Sequence, residues 1–249
     1  MGALMAGCKF VAVYHMIPAT SVLQYMAGHG AGWGLVVKHA EDEIAAVNMC
    51  VGAAHMGVRA MAPTSGGGFD LMSEGLSLAG MAEVPLVIYL ASRPGPARGL
   101  ATRTAQGDLY LAVYAGHGEF PRVVLAPHTP AEAFRCGWRA FNIAEKYQCV
   151  VIVFSDQYNA TSLQSVDAEH FDPGAVQIDH GKLLSAAQVD ALEGYRRYEL
   201  TPSSVSPRAL PGSSPKAVYL AALKTGPLAG QPLRSRPLQE YGQLFTEFM

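Results

Sequence analysis

Charge is scarce in this 249-residue chain, where only 15% of residues are Asp, Glu, Lys or Arg. The 18 basic residues are spread without clusters and the formal net charge is −2, so nothing offers an electrostatic footprint for nucleic acid or an anionic membrane. Cysteine is also rare. Cys8, Cys50, Cys136 and Cys149 are widely spaced with no C-x-x-C pair, which argues against a cluster or zinc site supplied by this chain alone and leaves four buried free thiols as the expectation. No apolar run reaches membrane-spanning length. Residues 1–19 lack a basic start and carry Lys9 inside their apolar part, so no signal peptide is read and the cytoplasm is the default compartment. A phosphate-binding signature is missing too: Gly66, Gly67 and Gly68 come with neither a Walker lysine nor the G-x-G-x-x-G spacing.

What the chain has is apolar mass. Hydrophobic residues make up 50% of it, enough for one large core or one domain plus an extension. Short β-rich runs alternate with helical stretches. Strands are predicted over 10–14, 34–38, 58–62, 85–91, 123–126 and 149–155; helices over 20–27, 42–56, 69–81 and 130–147, with a short one ending at Tyr114. A loop rich in Gly and Pro covers 92–107. Continuous rather than alternating apolar strands imply a parallel sheet with helices on both faces. After Asp156 the pattern weakens: 167–184 is polar, 185–197 has a helical pattern, 201–214 is rich in Pro and Ser, and 220–249 has no clean period beyond a short helical stretch at 238–248.

One carboxylate stands where the helix over 42–56 should be apolar. At roughly 100° per residue, Glu43 projects with Val47, Cys50 and Ala54, whereas Glu41 and Asp42 project elsewhere. Acids in a first helical turn offset the helix dipole, which suffices for Glu41 and Asp42. Glu43 needs more, because an unpaired carboxylate on a packed stripe either neutralises or finds a partner.

Several segments carry a resemblance at consistent spacing: Ala40-Glu41-Asp42-Glu43-Ile44, Thr64-Ser65-Gly66-x-Gly68-Phe69, Ala79-Gly80-Met81-Ala82-Glu83-x-Pro85, Gln106-Gly107-Asp108-Leu109, Gly116-His117-Gly118-Glu119-Phe120-Pro121-Arg122 and Ser206-Pro207-Arg208-Ala209-Leu210. Over residues 1 to about 219 the chain resembles the alpha subunit of 2-oxoacid:ferredoxin oxidoreductases, most closely the 2-oxoglutarate type. The resemblance implies a pyrimidine-binding domain of the thiamine-diphosphate fold over 1–161, a family-like extension over 162–219 and a divergent tail over 220–249, with the usual second alpha-subunit domain absent. It implies oxidative decarboxylation of a 2-oxoacid to its acyl-CoA with reduction of ferredoxin. Thiamine diphosphate would be shared with a beta subunit, and Mg²⁺ and a [4Fe-4S] cluster would lie on that partner.

Residue by residue, the resemblance makes Glu43 the acid that hydrogen-bonds N1′ of the cofactor's aminopyrimidine, so that the 4′-nitrogen can take a proton from the thiazolium ring. Thr64, Ser65 and Gly66 would form the turn that approaches the cofactor. Arg93 matches an arginine expected to face the substrate carboxylate, for which a guanidinium fork is suited; a solvated arginine at a strand end is the alternative from position alone. His117 would stand near the substrate, or serve as a turn histidine with a structural hydrogen bond. Two departures bear on substrate. Where the family has Tyr-Pro-Ile-Thr-Pro, this chain has Tyr14-His15-Met16-Ile17-Pro18, so a hydroxyl is lost at Ile17; and Ala97 and Arg98 replace two further hydroxyl residues. These departures motivate a second reading, a non-catalytic or truncated paralogue that keeps the fold and the partner-binding surface.

Overall fold

Six strands run parallel in one sheet: β1 Phe10–Val13, β2 Val36–His39, β3 Ala60–Ser65, β4 Leu86–Ser92, β5 Arg122–Leu125 and β6 Val150–Asp156, in the spatial order β2-β1-β3-β4-β6-β5. The computed structural model describes residues 1–199 and 201–218; the whole tail over 220–249, with the helix predicted at 238–248, lies outside them. Nine α-helices lie among the described residues: α1 Gly2–Met5, α2 Thr20–His29, α3 Glu43–His55, α4 Gly66–Leu71, α5 Ser73–Met81, α6 Leu109–Tyr114, α7 Pro130–Tyr147, α8 Gln157–Thr161 and α9 Ala186–Asp190.

The apolar strands divide their side chains by parity. Ala12, Ala62, Ile88, Leu90 and Ile152 face α3, α4 and α5, while Val11, Met61, Val87, Val151 and Val153 face α1, α2 and α7. Both faces are covered, which is why the runs read as continuously apolar. None of the helices is long and apolar enough to cross a membrane, among the described residues. Three cysteines are fully buried in these cores, and burial pushes the Cys8, Cys50 and Cys149 thiols up to about 12. Cys136 departs from expectation in being only half-buried.

Three elements differ from the sequence reading. The strand predicted to stop at 62 continues through Pro63 to Ser65. Its pairing with β1 ends at Val11 and Met61, whereas its pairing with β4 runs on to Ser65, so Pro63 sits where the strand has a neighbour on one side alone and a missing donor is tolerated. The helix predicted over 69–81 is two helices that meet at Met72. The helical pattern over 185–197 yields only Ala186–Asp190, closed at its start by a capping box of Ser185 and Gln188.

The segment after α8 folds back beneath the sheet, opposite the strands' C-terminal ends. Arg197 donates to Glu83 at 2.9 Å, Arg208 to the Ala54 carbonyl at 3.1 Å, and Gln148 to the Ser206 carbonyl at 2.7 Å. Arg59, at the foot of β3, donates to Glu145, Asn142 and the carbonyls of Ala6 and Asp179. A small core of Val189, Ala209 and Ala217 closes the clasp.

Candidate active site at the switch point of the sheet

From β1 the chain crosses to β2 on one side, and then returns to β3 on the other. Such a reversal leaves a crevice outside the carboxyl ends of the strands, where ligands bind in open parallel sheets. The segments leaving β1, β2, β3 and β4 converge there, bringing Ile17, Glu43, the triple glycine and Arg93 to one end of the sheet.

Glu43 opens α3. The preceding Asp42 is the N-cap, accepting from the Ala45 backbone N–H at 2.7 Å, so the dipole-offsetting duty falls to it. Glu41 lies outside the helix. That leaves Glu43 on the packed stripe with Val47, Cys50 and Ala54, 2% exposed, with Oε1 buried and without a hydrogen-bond partner. Burial pushes its carboxyl above the ordinary carboxylate value and Asp42 adds to the push; the residue's own backbone N–H, then Arg93 and His15, pull the other way.

Each of the three glycines has its own neighbour. A Cβ on Gly68 would stand 2.3 Å from Thr64 Oγ1 and 2.6 Å from Glu43 Oε1; one on Gly66 would stand 2.4 Å from Asp108 Oδ2; one on Gly67 would press on the Ala97 carbonyl at 3.1 Å. Any side chain here would displace the acid, its neighbouring hydroxyl or the 92–107 loop. Thr64 and Ser65 are fully buried, and Ser65 Oγ, like Glu43 Oε1, has no partner. Two buried orphan polar atoms beside a glycine turn call for a polar partner there.

Arg93 directly follows β4 and is 7% exposed. Its Nη1 donates to the Ile17 carbonyl at 2.6 Å, tying the departing segment of β1 to β4. Burial lowers its pKa, countered by Asp108 and Glu43. Arg93 is therefore not the solvated arginine of the alternative reading. Ile17 itself presents its side chain 44% exposed and offers no polar atom from it.

Asp108 went unassigned in the sequence. It accepts from Ser92 Oγ at 2.7 Å and from the Arg93 backbone N–H at 3.2 Å, fastening the glycine- and proline-rich loop across the site. The signal for it was an acid within a loop otherwise poor in anchors. Gln106 adds a second fastening to Asp156. His117 lies apart from this group: its backbone N–H donates to Ser77 Oγ at 2.7 Å between Gly116 and Gly118, both at positive φ, and the residue is exposed. A separate shallow groove of about 520 Å³ between α2 and β2 is lined by Leu23, Met26, Leu35 and Val37 and shares only His39 with the neighbourhood of the site.

A parallel sheet that sets an orphan acid and a glycine turn at its switch point defines a ligand-binding α/β domain. Residues 1–207 match the family described as pyruvate flavodoxin/ferredoxin oxidoreductase, thiamine diphosphate-binding, and the chain belongs to that family. It is 40% identical over 226 residues to the alpha subunit of 2-oxoacid:ferredoxin oxidoreductase 1 of Sulfurisphaera tokodaii, covering 86% of this chain and 35% of the relative. It is also 40% identical over 165 residues to the 2-oxoglutarate synthase subunit KorA of Archaeoglobus fulgidus, covering 66% of this chain and 48% of that one. The solved 2-oxoglutarate:ferredoxin oxidoreductase of Magnetococcus marinus, with 2-oxoglutarate, coenzyme A and succinyl-CoA bound, superposes with a TM-score of 0.85 at 34% identity, covering all of this chain and 43% of that one. The chain thus spans well under two thirds of the length of each.

Proposed function

We propose that this chain is the pyrimidine-binding part of the alpha subunit of a 2-oxoacid:ferredoxin oxidoreductase, converting a 2-oxoacid, 2-oxoglutarate by preference, to its acyl-CoA while reducing ferredoxin. The observation that carries the reading is the buried, unpartnered Oε1 of Glu43 beside the glycine turn. Thiamine diphosphate, when bound, supplies the electron sink for decarboxylation. Glu43 would hold the pyrimidine ring through a proton held or released at Oε1, and its raised pKa brings the two protonation states closer in energy. Ser65, Thr64 and the backbone of Gly66 shape the wall against the ring. Arg93 carries the positive charge for the substrate carboxylate and, through Ile17, orients the segment leaving β1.

On this reading, as the family resemblance implies, a beta subunit would hold the diphosphate, Mg²⁺ and the [4Fe-4S] cluster. A partner is also favoured by α6, which leaves Leu109, Tyr110, Val113 and Tyr114 exposed at 39–79%, an apolar face beside the site that a second chain would cover. Within the chain, residues 1–161 carry the site and 162–218 the clasp beneath it. A titration of Mg²⁺ and thiamine diphosphate into the lone chain tests the division of labour. Weak binding is expected, tightening on addition of the beta subunit; submicromolar affinity without a second chain contradicts it. A non-catalytic relative is the second reading, favoured by Ile17, and absence of turnover in a fully assembled complex would select it.

A further inference from the structure

The segment that departs most from the family's pattern, residues 14–17, carries one of a pair of side chains with no assigned role. His39 is the last residue of β2, in register with Val13 of β1, and His15 follows two residues beyond Val13. Their rings stack with centroids 5.5 Å apart and planes 22° apart, and His15 Nδ1 lies 3.3 Å from His39 Nε2, within hydrogen-bond reach. The Tyr14 ring flanks both, at 5.2 and 6.1 Å. Both histidines are exposed. Glu43 of α3 feels the charge of His15, and Ile17, two residues on, is held by Arg93. The pair therefore stands on the rim of the same crevice, where Ile17 offers a substrate no polar group.

We propose that the His15–His39 pair anchors the distal carboxylate of a dicarboxylic 2-oxoacid and so sets the choice between dicarboxylic and short monocarboxylic substrates. This rests on the 2-oxoacid reading above. In the neutral pair one N–H is shared between the facing nitrogens, which leaves one outer nitrogen with a proton and the other bare. One added proton gives the pair a single positive charge and makes both outer nitrogens, His15 Nε2 and His39 Nδ1, donors. Two donors and one charge match the two oxygens of a carboxylate, and histidine is the side chain that takes up such a proton near neutral pH. Tyr14, the residue after β1, flanks the pair, and Glu43 of α3 lies within electrostatic reach of His15. Arg93 is engaged with Ile17 and faces the other end of the substrate. Pyruvate ends in a methyl group and has nothing for the pair to hold.

The test is steady-state turnover by the assembled oxidoreductase carrying His15→Gln or His39→Phe, with 2-oxoglutarate and with pyruvate. The ratio of kcat/KM for 2-oxoglutarate to that for pyruvate is expected to fall about 10- to 100-fold, as befits a charge-assisted contact, chiefly through KM for 2-oxoglutarate. A purely structural role for the pair would lower both substrates together, and an unchanged ratio overturns the proposal. In the assembled complex with this chain labelled with ¹⁵N-histidine, 2-oxoglutarate is expected to move both outer nitrogens, His15 Nε2 and His39 Nδ1, to the protonated range, with one proton kept between the facing nitrogens, and pyruvate to leave them in place. Spectra unmoved by 2-oxoglutarate while the wild-type complex turns it over would overturn the pair's role alone. A wild-type complex that turns over no 2-oxoacid would overturn the parent reading, and the substrate named here with it.

Discussion

Glu43 is held where an ionised carboxylate is least stable, and that cost separates its stability effect from its functional one. Its folded pKa lies above the unfolded value near 4.5, so the destabilisation is absent below that pH, grows as pH rises through the shifted pKa and is complete above it. Glu43→Gln is therefore expected to raise the melting temperature of the chain at pH 7 by about 2–4 °C, on the scale of 1 kcal/mol for a domain of this size, with the gain vanishing as pH falls toward 4.5. Thermal scans across that range check the sign; a lower melting temperature at pH 7 would mean that a partner for the carboxylate has been overlooked. Gly68→Ala should do the opposite, because its Cβ would meet Thr64 Oγ1 and Glu43 Oε1. A loss of about 1–3 kcal/mol in urea unfolding is expected from overpacking of this kind. Periodicity made Glu43 legible in the sequence, since one acid broke the apolar stripe. Asp108 was not legible, because its partners Ser92 and Gly66 come from other segments and only the folded loop brings them together.

At the scale of elements, the strands and long helices were legible wherever a pattern was unbroken, as in α7, which runs Pro130–Tyr147 as predicted, with Thr129 found as its N-cap. The misreadings came from rules that tertiary context overrode. The strand predicted over 58–62 runs on through Pro63, which the fork between β1 and β3 accommodates. The clasp under the sheet was read only as irregular, since its order comes from long-range polar contacts rather than from a period. Its firmest anchor is Glu145, 4% exposed, held at 3.0 Å by Arg59 and at 2.6 Å by His180. Arg59→Met removes the chief cation from a buried carboxylate and is expected to cost about 3–5 kcal/mol, whereas Arg59→Met combined with Glu145→Met should recover much of that loss. Urea unfolding of the two variants decides this, and equal stabilities would show that the pair is not coupled.

For the molecule as a whole, the sheet's switch point, the orphan acid and the uncovered α6 face all lie at one end, and the clasp at the other. The parallel arrangement was foreseeable from the uninterrupted apolar strands; the exposed α6 face was not, because only the fold decides which of its apolar residues stay outside. One end is thus free to meet a partner while the other is sealed. The central claim is that Glu43 drives cofactor chemistry in a site completed by a second chain. The measurement that tests it most directly is 2-oxoacid-dependent reduction of ferredoxin by the chain assembled with its beta subunit, in wild-type and Glu43→Gln forms. Turnover by the wild type and a loss of about 10²–10⁴ in rate for Glu43→Gln are expected; a Glu43→Gln complex with nearly full turnover would contradict the account.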